Sequence, residues 1–129
     1  MTYRYSIDKN AIKANSRHQV INHVPQDGGA IIGIRGYLAG AIIAVNYGNI
    51  ISIGRDPSKC NLIIEGDFIS RIHCRLSYNN RTGMYMLEDR SINGVILPDG
   101  LRTHKGQIIS VAGGTHICIG TYSEELLLR

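Results

Sequence analysis

Three short motifs contain the residues of this chain that could do chemistry. They are Gly54-Arg55, the run Ser70–His73 (Ser-Arg-Ile-His) and Asn93-Gly94. Each lies at the predicted end of an apolar strand, where the loops of a β-sandwich gather and carry binding residues. Arginine offers a planar fork of donors that matches phosphate oxygens, and a serine hydroxyl adds one more donor. The motifs therefore predict a phosphate-binding site built from two arginines and a serine.

Each motif also has a simpler explanation when it is taken alone. An arginine after a strand is commonly a solvated side chain, here with Asp56 or Asp67 as a nearby carboxylate. Asn-Gly is a common turn dipeptide, although an asparagine amide can also bond the main chain of an extended peptide. The order of the three motifs along one chain is what favours a binding site that includes Arg55, Ser70, Arg71 and Asn93.

Catalysis and metal binding find no support in the residue pattern. Ser70 precedes His73 by three positions, but a hydrolase also needs a residue that orients the histidine and an oxyanion hole. Neither is visible, so we predict no catalytic residue and no enzyme activity. The histidines lack the spacing of metal ligands. There are three cysteines, an odd number that does not suit a disulfide framework, and none of them forms a C-x-x-C pair typical of a zinc site. We therefore predict buried free thiols, no metal and no cofactor.

Composition and charge indicate which classes of binding partner the chain suits. The chain has 129 residues, no tryptophan, one phenylalanine and a net charge of +4. Residues 1–29 hold four basic and two acidic side chains, so the excess is divided evenly between the two parts of the chain rather than concentrated in one basic arm. Nucleic-acid binders usually concentrate positive charge. Because no leader segment or membrane-length apolar run is present either, we expect a cytoplasmic module without nucleic-acid binding or membrane insertion.

The order of apolar runs and turns predicts an all-β fold. From residue 30 to 129, about ten short strands follow one another, with a hairpin turn over Asn79–Gly83. This pattern predicts an antiparallel β-sandwich or barrel of about ten to eleven strands. Residues 1–29 are polar and end in the breaker cluster Pro25–Gly29. We predict that they form an N-terminal arm or linker, with either a short helix or an extended conformation.

These motifs resemble the forkhead-associated (FHA) domain family, over residues from about 30 to 129. The resemblance runs through Ile53–Pro57, Asn61–Ile64, Ile69–Cys74, Leu87–Asp89, Ser91–Val95 and Gly106–Ile109. It implies an eleven-stranded β-sandwich that binds phosphothreonine peptides and catalyses nothing. The implied partner is a phosphothreonine-containing protein, with a Ser/Thr kinase or its substrates as a reasonable class.

The resemblance also assigns roles to individual residues. Arg55 and Ser70 would contact the phosphate, Arg71 would add a donor, and Asn93 would hold the peptide main chain. Three further residues would shape the loops without touching the ligand; these are Gly54, His73 and Gly94.

One departure from the family pattern leaves an alternative open. The family often has serine or threonine before the Asn-Gly pair, whereas this chain has Ile92. An FHA-fold assembly or scaffold module, for example in a secretion complex, that has lost phosphate-dependent binding is therefore the second interpretation. A small barrel that binds single-stranded nucleic acid is a third, but the tyrosines are scattered rather than interleaved with arginines.

Overall fold

The computed structural model describes residues 20–21 and 28–129, which form eleven strands and no helix. The strands are β1 (Val20–Ile21), β2 (Gly29–Arg35), β3 (Ile42–Val45), β4 (Ile50–Gly54), β5 (Leu62–Ile63), β6 (Cys74–Asn79), β7 (Met84–Asp89), β8 (Val95–Ile96), β9 (Ile108–Ala112), β10 (Thr115–Ile119) and β11 (Glu125–Leu128). The prediction of an all-β fold with about ten to eleven strands is confirmed.

The strands form two sheets, in the orders β1-β3-β2-β11-β10-β8 and β5-β4-β6-β7-β9. All pairs are antiparallel except β4 with β5, which run parallel with Ile53 opposite Leu62. The loop after β4 carries the chain back to run in the same direction as β4, and the Ile64 N–H donates to the Gly54 carbonyl. This single parallel pair departs from the antiparallel prediction.

The core lies between the two sheets and is built from alternate strand residues, as expected for strands with one buried face. Its largest fully buried side chain is Tyr85, whose hydroxyl accepts a hydrogen bond from the Ala30 N–H at 2.8 Å and so connects the sheets. All three cysteines are free and buried, as predicted. Ile72 is half-buried and packs outside this core, in a small separate cluster with Cys60 and Ile63.

Most of the predicted N-terminal arm lies outside the described residues, so the choice between a short helix and an extended conformation stays a prediction there. Within it, β1 pairs antiparallel with β3, placing Val20 opposite Ile43. The domain boundary at residue 29 therefore stays a prediction, with one short strand on its N-terminal side belonging to the sheet.

Candidate functional site

The four predicted ligand-binding residues lie on three loops at one end of the sandwich. Arg55 follows β4, Ser70 and Arg71 precede β6, and Asn93 lies between β7 and β8. Backbone bonds hold the first two loops together, since the Arg55 N–H points to the carbonyls of Ser70 and Arg71 at 3.0 and 3.1 Å. The third loop joins them where the Ile92 N–H donates to Ser70 Oγ at 3.1 Å. We call Arg55, Ser70, Arg71 and Asn93 the socket.

The two arginines of the socket are exposed and keep donors available. Arg55 Nε donates to the Ile69 carbonyl at 2.9 Å, which fixes the direction of its side chain. Among the described residues, its terminal nitrogens and the whole guanidinium of Arg71 have no hydrogen-bond or ion-pair partner. Asp56 does not pair with them, because its carboxylate accepts from the N–H and hydroxyl of Ser58. Those bonds, helped by Lys59 and Arg71, lower the pKa of Asp56.

Ser70 has its hydroxyl proton available but not its backbone N–H. Its Oγ accepts from Ile92, which leaves the O–H free to donate to an anion. The backbone N–H donates to His73 Nδ1 at 3.1 Å and is therefore not available to an anion. The serine can therefore offer one donor rather than two.

His73 is fully buried and joins two loops of the socket. Its Nδ1 accepts from Ser70, so its Nε2 carries the proton and donates to the Gly94 carbonyl at 2.7 Å. Burial lowers the pKa of His73, opposed by the Gly94 bond and the nearby Asp89 carboxylate. A neutral ring satisfies both bonds, and because both ring nitrogens are bonded to backbone groups, neither is available to act as a base for the Ser70 hydroxyl.

The two glycines of the motifs stand where a side chain would not fit. Gly94 has φ of +81°, and a Cβ there would lie 2.6 Å from the Thr103 carbonyl oxygen. A Cβ on Gly54 would overlap the Arg71 carbonyl and approach Cys60 Sγ to 2.8 Å. Both positions therefore need glycine so that the loops beside them can approach closely.

The sequence analysis missed a buried network beneath the socket. Asp89 is fully buried, accepts from the N–H and hydroxyl of Ser91 at 2.6 Å each, and accepts from the Thr103 hydroxyl. Ser91 Oγ in turn accepts from the Gly94 N–H at 2.7 Å. An Asp-x-Ser run at the end of a strand is a local signal for such a turn, but only the fold brings Thr103 to it.

Asn93 is fixed from both sides by contacts outside the three motifs. Its Nδ2 donates to the Phe68 carbonyl at 3.1 Å, while its own carbonyl accepts from Arg102 Nη1 at 2.8 Å. The same Arg102 nitrogen donates to the Gly120 carbonyl at 3.0 Å. Asn93 Oδ1 has no hydrogen-bond partner among the described residues, so the amide can still engage a peptide main chain.

A family-wide sequence profile of the FHA domain matches residues 51–120, which include every residue of the socket and more than half of the chain. The chain belongs to the FHA family. The resemblance drawn from the three motifs is thereby confirmed. A sequence comparison with curated proteins gives no match.

Solved FHA structures share the fold of this FHA domain. The FHA domain of CT664 protein from Chlamydia trachomatis has 22% identity and a TM-score of 0.67, over 78% of this chain and 95% of that one. The MEK1 FHA domain in complex with a HOP1 phosphothreonine peptide has 19% identity and a TM-score of 0.63, over 79% and 95%. The N-terminal FHA domain of S. cerevisiae Rad53p, also with a phosphothreonine peptide, has 21% identity and a TM-score of 0.60, over 78% and 90%.

A search of the described residues finds no helix with the length and apolar character needed to cross a bilayer.

Proposed function

We propose that this FHA domain binds phosphothreonine peptides of partner proteins through the socket. The observation that carries the proposal is a group of available donors, the terminal nitrogens of Arg55 and the guanidinium of Arg71, on loops bonded to each other around the Ser70 hydroxyl. Exposed cations without a carboxylate partner, grouped with a hydroxyl donor, fit an anion with several acceptor oxygens. Membership of the FHA family supports phosphothreonine as the source of that anion.

The proposed binding mode assigns one task to each socket residue. Phosphothreonine brings about −1.5 to −2 charges near pH 7 and three strong acceptor oxygens. Arg55 takes two of these oxygens with its terminal nitrogens, and Ser70 and Arg71 donate to the third. Asn93 bonds the peptide main chain beside the phosphothreonine. Three charge-assisted contacts at about 1.5–3 kcal/mol each, reduced by the loss of freedom on association, correspond to roughly micromolar affinity.

Affinity of this order suits a reversible role in kinase-linked signalling or regulated assembly. A Ser/Thr kinase that phosphorylates the partner would switch binding on, and a phosphatase would switch it off. The three free, buried thiols are typical of proteins from a reducing compartment, and we propose the cytoplasm as the location.

A calorimetric titration with a degenerate phosphothreonine peptide library, beside its unphosphorylated twin, tests the proposal. We expect phosphate-dependent binding, and a loss of at least about thirtyfold (~2 kcal/mol) for Arg55→Ala, because one partner of a hydrogen-bonded charge pair is removed. Arg81→Ala is the matched control, since Arg81 is an exposed arginine in the β6–β7 turn, at the opposite end of β6 from the socket. Binding that survives Arg55→Ala would remove Arg55 from the site.

Absence of binding to either library would favour the alternative, an FHA-fold assembly module without phosphate dependence. The observation in its favour is Ile92, whose side chain is 87% exposed at a position where the family often carries a hydroxyl. The experiment thus decides between the two functions with the same protein and the same peptides.

A further inference from the structure

In the part of the chain that the structure describes, the two sheets end in four edge strands, and only one of these is long. β1, β5 and β8 have two residues each, whereas β9 has five. Proteins protect long edge strands with charged residues, proline or bulges, because the unpaired backbone groups can otherwise pair with another chain. The β9 sequence, Ile-Ile-Ser-Val-Ala, contains neither a charge nor a proline, and its pairing with β7 has no register shift. β9 is therefore a long edge without these protections.

The free backbone groups of β9 belong to alternate residues. The Asp89 N–H donates to the Gln107 carbonyl at 2.9 Å, which fixes the phase of the ladder between β7 and β9. Bonded and free residues alternate along an antiparallel edge. The N–H and C=O groups that point away from β7 are thus those of Ile108, Ser110 and Ala112. None of them has a hydrogen-bond partner among the described residues.

The side chains of β9 are also incompletely covered, on both faces of the sheet. Ile108 is 60% exposed on the outer face, where Ser110 and Ala112 are exposed as well. Ile109 and Val111 point to the core but are only half-buried. A further strand on this edge would cover apolar area on both faces in addition to pairing the backbone.

We propose that the β9 edge pairs with the β9 edge of a second copy of this chain, antiparallel about Ser110. A two-fold axis there places Ser110 opposite its own copy, and Ile108 opposite Ala112 of the second copy. Each such pair exchanges two backbone hydrogen bonds. The large Ile108 then meets the small Ala112, the two Ser110 hydroxyls lie within reach of each other, and no like charges are opposed. This match of the edge to itself favours a second copy over an unrelated strand.

The pairing fixes where the two sockets of the dimer lie. β9 begins at the socket end of the domain, because Gln107 is bonded to Asp89, the last residue of β7. Antiparallel pairing joins the two five-stranded sheets into one and places the sockets at its opposite ends. Combined with the proposed function, such a dimer would connect two phosphorylated partner molecules rather than bind two sites of one short peptide.

Sedimentation velocity of the full chain, from about 10 μM to about 1 mM, tests the pairing, because an interface of this small size is weak and transient. We expect the weight-average sedimentation coefficient to rise with concentration towards that of a dimer. Ser110→Lys and Ser110→Glu should each keep the chain monomeric, since each places like charges directly opposite one another. A mixture of the two variants should associate again. Ser77→Lys is the matched control, because Ser77 lies on the same outer face but on β6, inside the sheet.

Amide exchange followed by NMR at low and high concentration locates the contact. The N–H groups of Ile108, Ser110 and Ala112 should exchange about tenfold more slowly once about nine chains in ten are paired, since only unpaired chains exchange them. The N–H groups of Ile109 and Val111 already face β7 and should change little.

Each contrary result overturns the pairing. A chain that stays monomeric over the whole range does so, and an extended segment of a partner protein then becomes the candidate for this edge. Association that Ser110→Lys leaves unchanged, or that Ser77→Lys abolishes, assigns the contact to another surface. Association without slower exchange at the three free N–H groups also excludes β9. None of these results affects the binding of phosphopeptides by the socket, which the titrations test separately.

Discussion

Two halves of the proposed binding surface differ in what they offer a ligand: one is formed by the socket residues Arg55, Ser70 and Arg71, the other by Asn93 together with its neighbour Ile92. The first half exposes the terminal nitrogens of Arg55, the guanidinium of Arg71 and one hydroxyl proton. The second exposes the Ile92 side chain, and the side-chain amide nitrogen of Asn93 is bonded to the Phe68 carbonyl. One half is therefore suited to an anion, whereas the other is suited to main chain and apolar side chains.

Both halves nevertheless depend on the same buried groups. His73 bonds Ser70 on one side and Gly94 on the other, and Asp89 holds the Ser91–Gly94 turn through Ser91. The difference between the halves lies only in the exposed side chains. One buried framework thus supports both an anion-binding half and a half that exposes an apolar side chain, Ile92.

The largest expected effect comes from removing the shared framework with Asp89→Ala. Three donors from Ser91 and Thr103 would lose their buried acceptor, so we expect the free energy of unfolding to fall by about 3 kcal/mol. Urea unfolding measures this change, with Asp67→Ala, an exposed carboxylate, as the control. Equal stability of the two variants would show that the network does not hold the site together.

A change of one atom, Ser70→Ala, tests whether the two halves are coupled. It removes the donor to the phosphate and also the acceptor for the Ile92 N–H. We expect about a tenfold loss of phosphopeptide affinity in calorimetry, as for one hydrogen bond to a charged group. Ser77→Ala on β6, away from the socket, should bind like the unchanged protein. If Ser70→Ala binds the phosphopeptide as tightly as the unchanged protein, the Ser70 hydroxyl contributes nothing to the affinity, either through the phosphate or through the Ile92 N–H.

Acidification is expected to weaken the framework through His73. Because burial lowers the pKa of His73 in the folded protein, the unfolded chain takes up that proton first as the pH falls. Stability is therefore fully present above the ordinary histidine value of about 6.5 and declines below it. Urea midpoints measured between pH 7.5 and 5.5 should fall more steeply for the unchanged protein than for His73→Gln. Parallel slopes would mean that His73 does not carry this pH dependence.

The smallest expected effect comes from Ile92→Thr. This change tests the half of the surface formed by Ile92 and Asn93 directly. A hydroxyl there adds one hydrogen bond near the phosphothreonine, so affinity for a peptide without a flanking apolar residue should rise about threefold. Calorimetric titration of the unchanged protein and of Ile92→Thr with the same phosphothreonine peptide measures the difference. An unchanged affinity would place the Ile92 side chain outside the contact.

Local residue patterns were enough to predict the strands, the family and the three motifs. Alternation of apolar residues and the turn chemistry of Asn79–Gly83 are local properties, and they predicted β6, β7 and their hairpin correctly. The order of Gly54-Arg55, Ser70–His73 and Asn93-Gly94 likewise required no structure to indicate the FHA family, which the profile match confirms. These features are local because each depends on residues that are neighbours in the chain.

What supports the motifs and what surrounds them could be seen only in the tertiary structure. The acceptor role of Asp89 needs Thr103, the His73 ring needs Gly94, and the parallel pairing of β5 needs the whole loop after β4. The side chains of Phe68, Ile92 and Tyr122 likewise line one depression, although they are separated by more than twenty residues at each step. Contacts of this kind depend on how the two sheets pack and on which loops meet at their ends. No local pattern of residue types specifies that packing, and this is why these contacts became visible only in the fold.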